Sequence, residues 1–222
     1  MTDRQKQALL ALASDLSRGD AGVIAAIKAA VADPPRTTEE VGYYVSQHNT
    51  AFENCFRKLV SLLSETPYAM SAEDKYVYEL FAHWTAPGRL DELPAAFRDL
   101  FPDWFGVEPD AGDEEAAEEF RKTLTAGYVE GVKAVEKAFE ELGAPLLSFD
   151  TGSSDTMVFI QATPEVADRW RNVVLGESHD GEKLAVRSPM WDVLWANIGY
   201  AADVDLEDPP DGLPSPPLRQ LE

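Results

Sequence analysis

The chain has 222 residues, of which 45% are hydrophobic and 27% charged, a composition that excludes an intrinsically disordered protein. It carries 40 acidic and 19 basic residues, and the net charge of −21 excludes nucleic acid and anionic membranes as favoured partners. The single cysteine, Cys55, excludes an internal disulfide. No signal-like start and no apolar run of roughly 20 residues occur, so we expect a cytoplasmic protein with no membrane partner.

Two short helices are predicted at the start of the chain. Residues 3–17 carry Leu9, Leu12 and Leu16 at helical spacing, which predicts one buried face. Asp20 is a suitable N-cap for the second helix, and prolines at positions 34 and 35 end it. We therefore expect a helical N-terminal region.

The longest apolar stripe follows the capping-box pattern formed by Thr37 and Glu40. Apolar residues then recur every three or four positions as far as Leu63, and His48 and Cys55 lie on the same stripe. This spacing predicts one helix of about 25 residues. It places His48 inside the fold with a hydrogen-bond partner, and it makes Cys55 a buried thiol whose pKa is raised.

Aromatic residues are dense between positions 68 and 105. Most fall at helical spacing and are expected in the core. Trp104 and Phe105 instead lie in a segment rich in Pro, Asp and Gly, where large aromatics are typical of interface anchors. Trp191 and Trp195 form a second cluster of this kind, so these four residues are the predicted partner-binding residues.

Short β-type segments appear only after a long helix predicted from about residue 113 to residue 142. Residues 146–150 and 156–162 predict a β-hairpin, and residues 183–187 predict a third strand. Thr163-Pro164-Glu165 begins a helix that is predicted to continue to about Val174. The expected fold class is α+β, with a mainly helical first two-thirds and a small antiparallel sheet in the last third.

The domain prediction follows from the same change of pattern. Residues 1–203 are expected to form a single compact domain, which is helical over 1–143 and contains the strands over 144–203. Residues 204–222 hold five acidic residues, five prolines and one arginine. This composition predicts an extended or disordered tail that is weakly attached to the domain.

One motif, Phe149-Asp150-Thr151-Gly152-Ser153-Ser154, resembles the active-site signature of the aspartic proteases. The resemblance covers about eight residues and implies a catalytic Asp150. Those enzymes need two such loops, because the two carboxylates share one proton. The sequence has one loop, so we predict a β-turn over Asp150–Asp155, with Gly152 supplying the positive φ.

A metal site is the next alternative. Cys55 comes seven residues after His48, and a second predicted helix carries Glu79 and His83 on one face. If the two helices pack together, these four side chains could supply a mixed N, S and O set for zinc. Closely spaced Cys or His pairs are missing, however, so neither a metal nor a cofactor is predicted.

Two functional hypotheses remain open. The first is a non-enzymatic acidic protein that binds a basic protein partner, in the manner of bacterial immunity or inhibitor proteins. The second is a small-molecule or metal-dependent enzyme whose site joins distant segments and leaves no motif. The sequence contains neither a nucleophile elbow nor a phosphate-binding glycine loop, which favours the first hypothesis. Nothing in it fixes the oligomeric state.

Overall fold

The computed structural model of the protein describes residues 1–73, 116, 119, 133, 136–150, 156–187 and 217–221. The chain divides into two units. The first contains Met1–Ala72, Leu142–Pro189 and Pro216–Glu222, and the second contains Glu73–Glu141 and Met190–Ser215. Because most of the second unit lies outside the described residues, the single domain over 1–203 stays a prediction. The elements below belong to the first unit, apart from the last residue of β1.

The helices of this unit are α1 (Asp3–Leu16), α2 (Ala21–Ala32), α3 (Thr38–Val41), α4 (Ala51–Ser64) and α5 (Pro164–Trp170). The predicted leucine stripe of α1 is confirmed, since Leu9, Leu12 and Leu16 are all buried. Asp20 caps α2 as expected, with its side chain accepting a hydrogen bond from the backbone N–H of Val23 at 2.9 Å. In the described part of the chain, no helix is long and apolar enough to cross a membrane.

The strands form one mixed six-stranded sheet in the order β1-β3-β2-β5-β4-β6. They are β1 (Ala69–Glu73), β2 (Leu146–Asp150), β3 (Thr156–Gln161), β4 (Val173–Glu177), β5 (Lys183–Arg187) and β6 (Arg219–Gln220). Strands β2 and β3 pair antiparallel, which confirms the predicted hairpin strands. The α+β fold class is confirmed as well, but the prediction that residues 1–143 contain only helices is wrong, because β1 lies among them and joins the sheet beside β3. Residues 151–155, where the turn was predicted, lie outside the described residues.

The prediction of a helix extending to Val174 is wrong, because Val173 and Val174 belong to strand β4. Helix α5 ends at Trp170, and Asn172 adopts a left-handed conformation with φ of 61°. This conformation turns the chain out of the helix, and Asn is among the residues that adopt it most readily. The following apolar run is then buried as the strand paired with β5.

Helices α1, α2 and α4 pack against one another, and α4 also contacts β3 and β4. Phe56 lies at the centre of this layer and is fully buried. Its ring centroid is 6.3 Å from that of Phe52 within α4 and 6.1 Å from that of Phe149 in β2. The helical layer and the sheet therefore share one hydrophobic core, to which Phe56 contributes a full aromatic side chain.

The single long helix predicted after Thr37 is wrong. The capping box of Thr37 and Glu40 is present, but α3 has only four residues and ends at Gly42, whose φ is 91°. A Cβ added at Gly42 would lie 2.2 Å from the Ser61 hydroxyl oxygen, so a glycine fits here for its close approach as well as for its φ. Helix α4 then begins with its own capping box, formed by Thr50 and Glu53.

The end of the predicted tail is attached to the sheet more firmly than its composition indicates. Arg219 and Gln220 form β6, which pairs in parallel with β4. The Arg219 guanidinium donates hydrogen bonds to the backbone carbonyls of Asp168, Arg169 and Arg171 at the end of α5. Cations are favoured at a helix C-terminus, where the carbonyls lack partners within the helix.

Candidate functional site

A buried carboxylate at the start of α4 organises the surface around it. The Glu53 side chain is fully buried, and its Oε1 lies 2.9 Å from Nη2 of Arg57, one turn further along the helix. The contact is an ion pair, and Oε1 has no hydrogen-bond partner among the described residues. The other carboxylate oxygen of Glu53, Oε2, accepts hydrogen bonds from the backbone N–H groups of His179 at 3.1 Å and Thr50 at 3.3 Å.

The imidazole of His179 is bound to the same carboxylate. Its Nδ1 lies 3.2 Å from Oε2 of Glu53, and a carboxylate can only accept, so Nδ1 carries the proton of this hydrogen bond. The two residues are 126 positions apart in the chain. His179 lies in the turn between β4 and β5 with 31% of its side chain exposed. Glu53 therefore fixes both the backbone and the ring of this turn residue.

Arg57 extends the network to the segment between α3 and α4, residues 42–50. Its Nη1 donates a hydrogen bond to the backbone carbonyl of Tyr44 at 2.9 Å. The next residue, Val45, donates its backbone N–H to the hydroxyl of Thr38 at 3.1 Å. The Tyr44 carbonyl and the neighbouring Val45 N–H are therefore both hydrogen-bonded. Tyr44 itself is 75% exposed.

His48 occupies the same surface. Its ring is stacked on that of His179, with centroids 6.2 Å apart and an interplanar angle of 23°. We refer to Tyr44, His48 and His179 as the Tyr–His surface. Residues 42–50 supply the first two members, the β4–β5 turn supplies the third, and buried Glu53 and Arg57 hold the two segments together.

Acidic side chains flank the Tyr–His surface in sequence on both sides. Glu39 and Glu40 precede it, and Asp180 and Glu182 follow His179; all four are exposed. Backbone N–H groups of Arg36 and Thr37 hold the pKa of Glu40 below its ordinary value. The Ser178 hydroxyl lowers the pKa of Asp180 in the same way. Both carboxyls are therefore ionised at neutral pH.

The described residues do not form the zinc site that was considered as an alternative. His48 was predicted to be buried on a helix, and this is wrong: it is exposed in the turn before α4, because the helix is interrupted at Gly42. His48 and Cys55 consequently do not share a helix face. No group of three or more His, Cys, Asp or Glu side chains within the described ranges is arranged to hold a metal ion. Glu79 and His83 lie outside those ranges.

The prediction for Cys55 is confirmed. Its side chain is fully buried in the core and its thiol donates to the carbonyl of Ala30 at 3.2 Å. Burial raises the pKa of the thiol to about 11, so the thiolate is scarce at neutral pH and the residue is a poor nucleophile.

The four aromatic residues predicted as partner anchors lie outside the described residues; they are Trp104, Phe105, Trp191 and Trp195. Sequence reasoning missed Tyr44 because it was assigned to a buried helical stripe. It missed Glu53 and His179 because nothing in the sequence connects positions 126 apart. One local signal was available, the second capping-box pattern of Thr50 and Glu53, which marks a new helix start.

Comparison of the chain with protein-family models, with curated proteins and with solved structures gave no match. An α+β fold by itself does not imply a function.

Proposed function

We propose that the protein is a non-enzymatic acidic interaction protein that binds a basic protein partner through the Tyr–His surface. The observation that carries the proposal is the exposure of Tyr44 on a fixed backbone. The residue is 75% exposed, and its backbone carbonyl accepts a hydrogen bond from the buried Arg57. Fixing the backbone of a contact residue before binding reduces the entropy lost on association. Tyrosine is also among the residues enriched at binding hot spots.

Charge supports a basic partner over a neutral or acidic one. Exposed carboxylates lie on both sides of the surface in sequence, at Glu39 and Glu40 and at Asp180 and Glu182. Arg57 is 8% exposed and its guanidinium pairs with Glu53. Its positive charge therefore does not offset these four carboxylates at the surface. The net charge of −21 would also accelerate the approach of a cationic partner. This charge balance is shared with immunity and inhibitor proteins, and Trp104, Phe105, Trp191 and Trp195 remain proposed additional anchors.

The test uses a short peptide rich in Lys and Arg with one central Leu, immobilised beside a matched peptide in which Glu replaces each basic residue. We expect the wild-type protein to bind the basic peptide alone, and Tyr44→Ala to weaken that binding roughly tenfold. Glu39→Lys is expected to weaken binding chiefly by slowing association, as is typical of a charge at the edge of an interface.

Glu65→Lys provides the matched charge control. Glu65 is exposed at the opposite end of α4, about 20 Å from the helix start at 1.5 Å per residue. Equal weakening by Glu39→Lys and Glu65→Lys would indicate attraction to the net charge only. An unchanged dissociation constant for Tyr44→Ala would contradict the proposed surface.

A second candidate function is an enzyme whose site joins distant segments. The observation that favours it is the buried Glu53 carboxylate bound to Nδ1 of His179, because this arrangement leaves Nε2 as the proton acceptor of a general base. We would expect measurable hydrolysis of p-nitrophenyl acetate and a loss of roughly 100-fold in His179→Gln. His48→Gln is the control, since His48 has no bond to Glu53 among the described contacts. Equal rates for His179→Gln and the wild type would reject this candidate.

A further inference from the structure

A short segment of the chain itself is bound at one edge of the sheet. Residues 218–221 read Leu-Arg-Gln-Leu, and the middle two form β6 parallel to β4. Two features receive this segment: the carbonyls of residues 168, 169, 171 and 172 after and within the last turn of α5, and the β4 residues Val173 and Val174. We refer to these carbonyls and the two valines as the α5–β4 edge.

Backbone carbonyls of the α5–β4 edge bind the arginine of the segment. Nη2 of Arg219 donates to the carbonyls of Asp168 at 3.0 Å, Arg169 at 3.2 Å and Arg171 at 2.8 Å. Nε lies 3.3 Å from the same Arg171 carbonyl. The end of a helix carries partial negative charge and favours a cation. A guanidinium brings two nitrogens to these carbonyls and a lysine ammonium brings one, so the edge favours arginine over lysine.

The backbone and Leu221 define the rest of the bound segment. The backbone N–H of Arg219 donates to the Asn172 carbonyl at 2.6 Å, and Arg219 and Gln220 lie opposite Val173 and Val174 in the parallel register. Leu221 is half-buried against the hydrophobic core. The edge therefore fits an extended segment that has an arginine followed two residues later by an apolar side chain.

The chain's own segment buries little surface at this edge. Strand β6 has two residues, and Leu218, Arg219 and Gln220 are all exposed. Within residues 217–221, Leu221 is the one apolar side chain that packs against the core. Short elements with few buried apolar contacts open locally at a low cost in free energy. A competing segment can therefore bind to the edge during such openings.

We propose that the basic partner presents an extended arginine-bearing segment that replaces β6 at the α5–β4 edge. This inference rests on the proposed function, because it assumes a basic protein partner. Addition of an extended segment to a sheet edge is a recurring mode of peptide recognition. The side chains of residues 216–222 carry no net charge, with Arg219 offset by Glu222, whereas a basic segment is attracted by the net charge of −21. A second contact on the same partner would also strengthen binding at the Tyr–His surface.

The experiment titrates the peptide Lys-Leu-Arg-Gln-Leu-Lys, with blocked ends, into the 15N-labelled full chain and follows the backbone amide shifts of Val173 and Val174. We expect Arg219→Ala to bind the peptide roughly tenfold more tightly than the wild type. The reason is that an internal segment bound about nine-tenths of the time weakens a competitor by that factor. Lys28→Ala removes a positive charge from an exposed position on α2 and should bind the peptide as the wild type does.

A second peptide with Lys in place of the Arg has the same charge and serves as the matched probe. We expect it to bind Arg219→Ala about fivefold more weakly than the Arg peptide, because one hydrogen bond to the edge is lost. Equal affinities of Arg219→Ala for the two peptides would overturn the proposal. Equal affinities of the wild type and Arg219→Ala for the Arg peptide, or unchanged amides at Val173 and Val174, would do so as well.

Tyr44→Ala separates this inference from the proposed function. In the double variant Tyr44→Ala with Arg219→Ala, the Arg peptide is still expected to shift the amides of Val173 and Val174, because Tyr44 is not part of the α5–β4 edge. Loss of these shifts would overturn the inference. Equal affinities for the Arg and Lys peptides would also overturn it, but would leave the Tyr44-dependent binding of basic peptides in place. Failure of the proposed function would instead appear as an unchanged dissociation constant for Tyr44→Ala.

Discussion

Replacing Glu53 with glutamine is expected to lower the free energy of unfolding by about 3–5 kcal/mol. Glu53 is fully buried and forms an ion pair with Arg57, whose side chain is only 10% exposed. The substitution removes the negative charge but leaves the guanidinium in place, so a buried positive charge loses its partner. Such a charge is costly because the interior cannot replace the water it has lost. Urea unfolding followed by tryptophan fluorescence measures the difference.

Glu141→Gln is the matched control for Glu53→Gln. Glu141 also pairs with a basic residue one helical turn away, Lys137 at 3.7 Å, but both side chains are mostly exposed. Exposed pairs of this kind typically contribute less than about 1 kcal/mol. Similar losses in the two variants would contradict the assignment of Glu53 as a buried charge. The double variant Glu53→Leu with Arg57→Met is expected to be more stable than Glu53→Gln alone, because both buried charges are then removed.

Replacing Phe56 with alanine is expected to lower the free energy of unfolding by about 3–5 kcal/mol. Phe56 is fully buried and contacts Phe52 in its own helix and Phe149 in β2. The substitution removes the ring that joins the helical layer to the sheet, and neighbours on two different elements cannot fully close the cavity. Differential scanning calorimetry and urea unfolding measure the loss.

Tyr44→Ala is the control for Phe56→Ala, since it removes an aromatic ring of similar size from an exposed position. We expect it to change the free energy of unfolding by less than about 0.5 kcal/mol, as is usual for surface substitutions. The same variant is the one expected to lose peptide binding, so stability and binding separate at this residue. Comparable destabilisation by the two substitutions would show that Tyr44 contributes to folding.

The sequence by itself determined the elements whose signals are local. The leucine spacing of α1, the Asp20 cap of α2 and the short apolar runs of the hairpin strands each arise within a few residues, and each is confirmed. The raised pKa of Cys55 also followed, because a thiol on the apolar stripe of a helix is buried in most arrangements of neighbours.

Only the tertiary structure decided where the long apolar stripe is interrupted and what that interruption brings together. Apolar periodicity continues through Gly42, but the close approach of Ser61 and the left-handed φ end the helix there. His48 consequently lies at the surface, where it stacks on His179. The contact between Glu53 and His179 joins residues 126 positions apart. Contacts at such separations depend on how helices pack on the sheet, and local spacing carries no information about that packing.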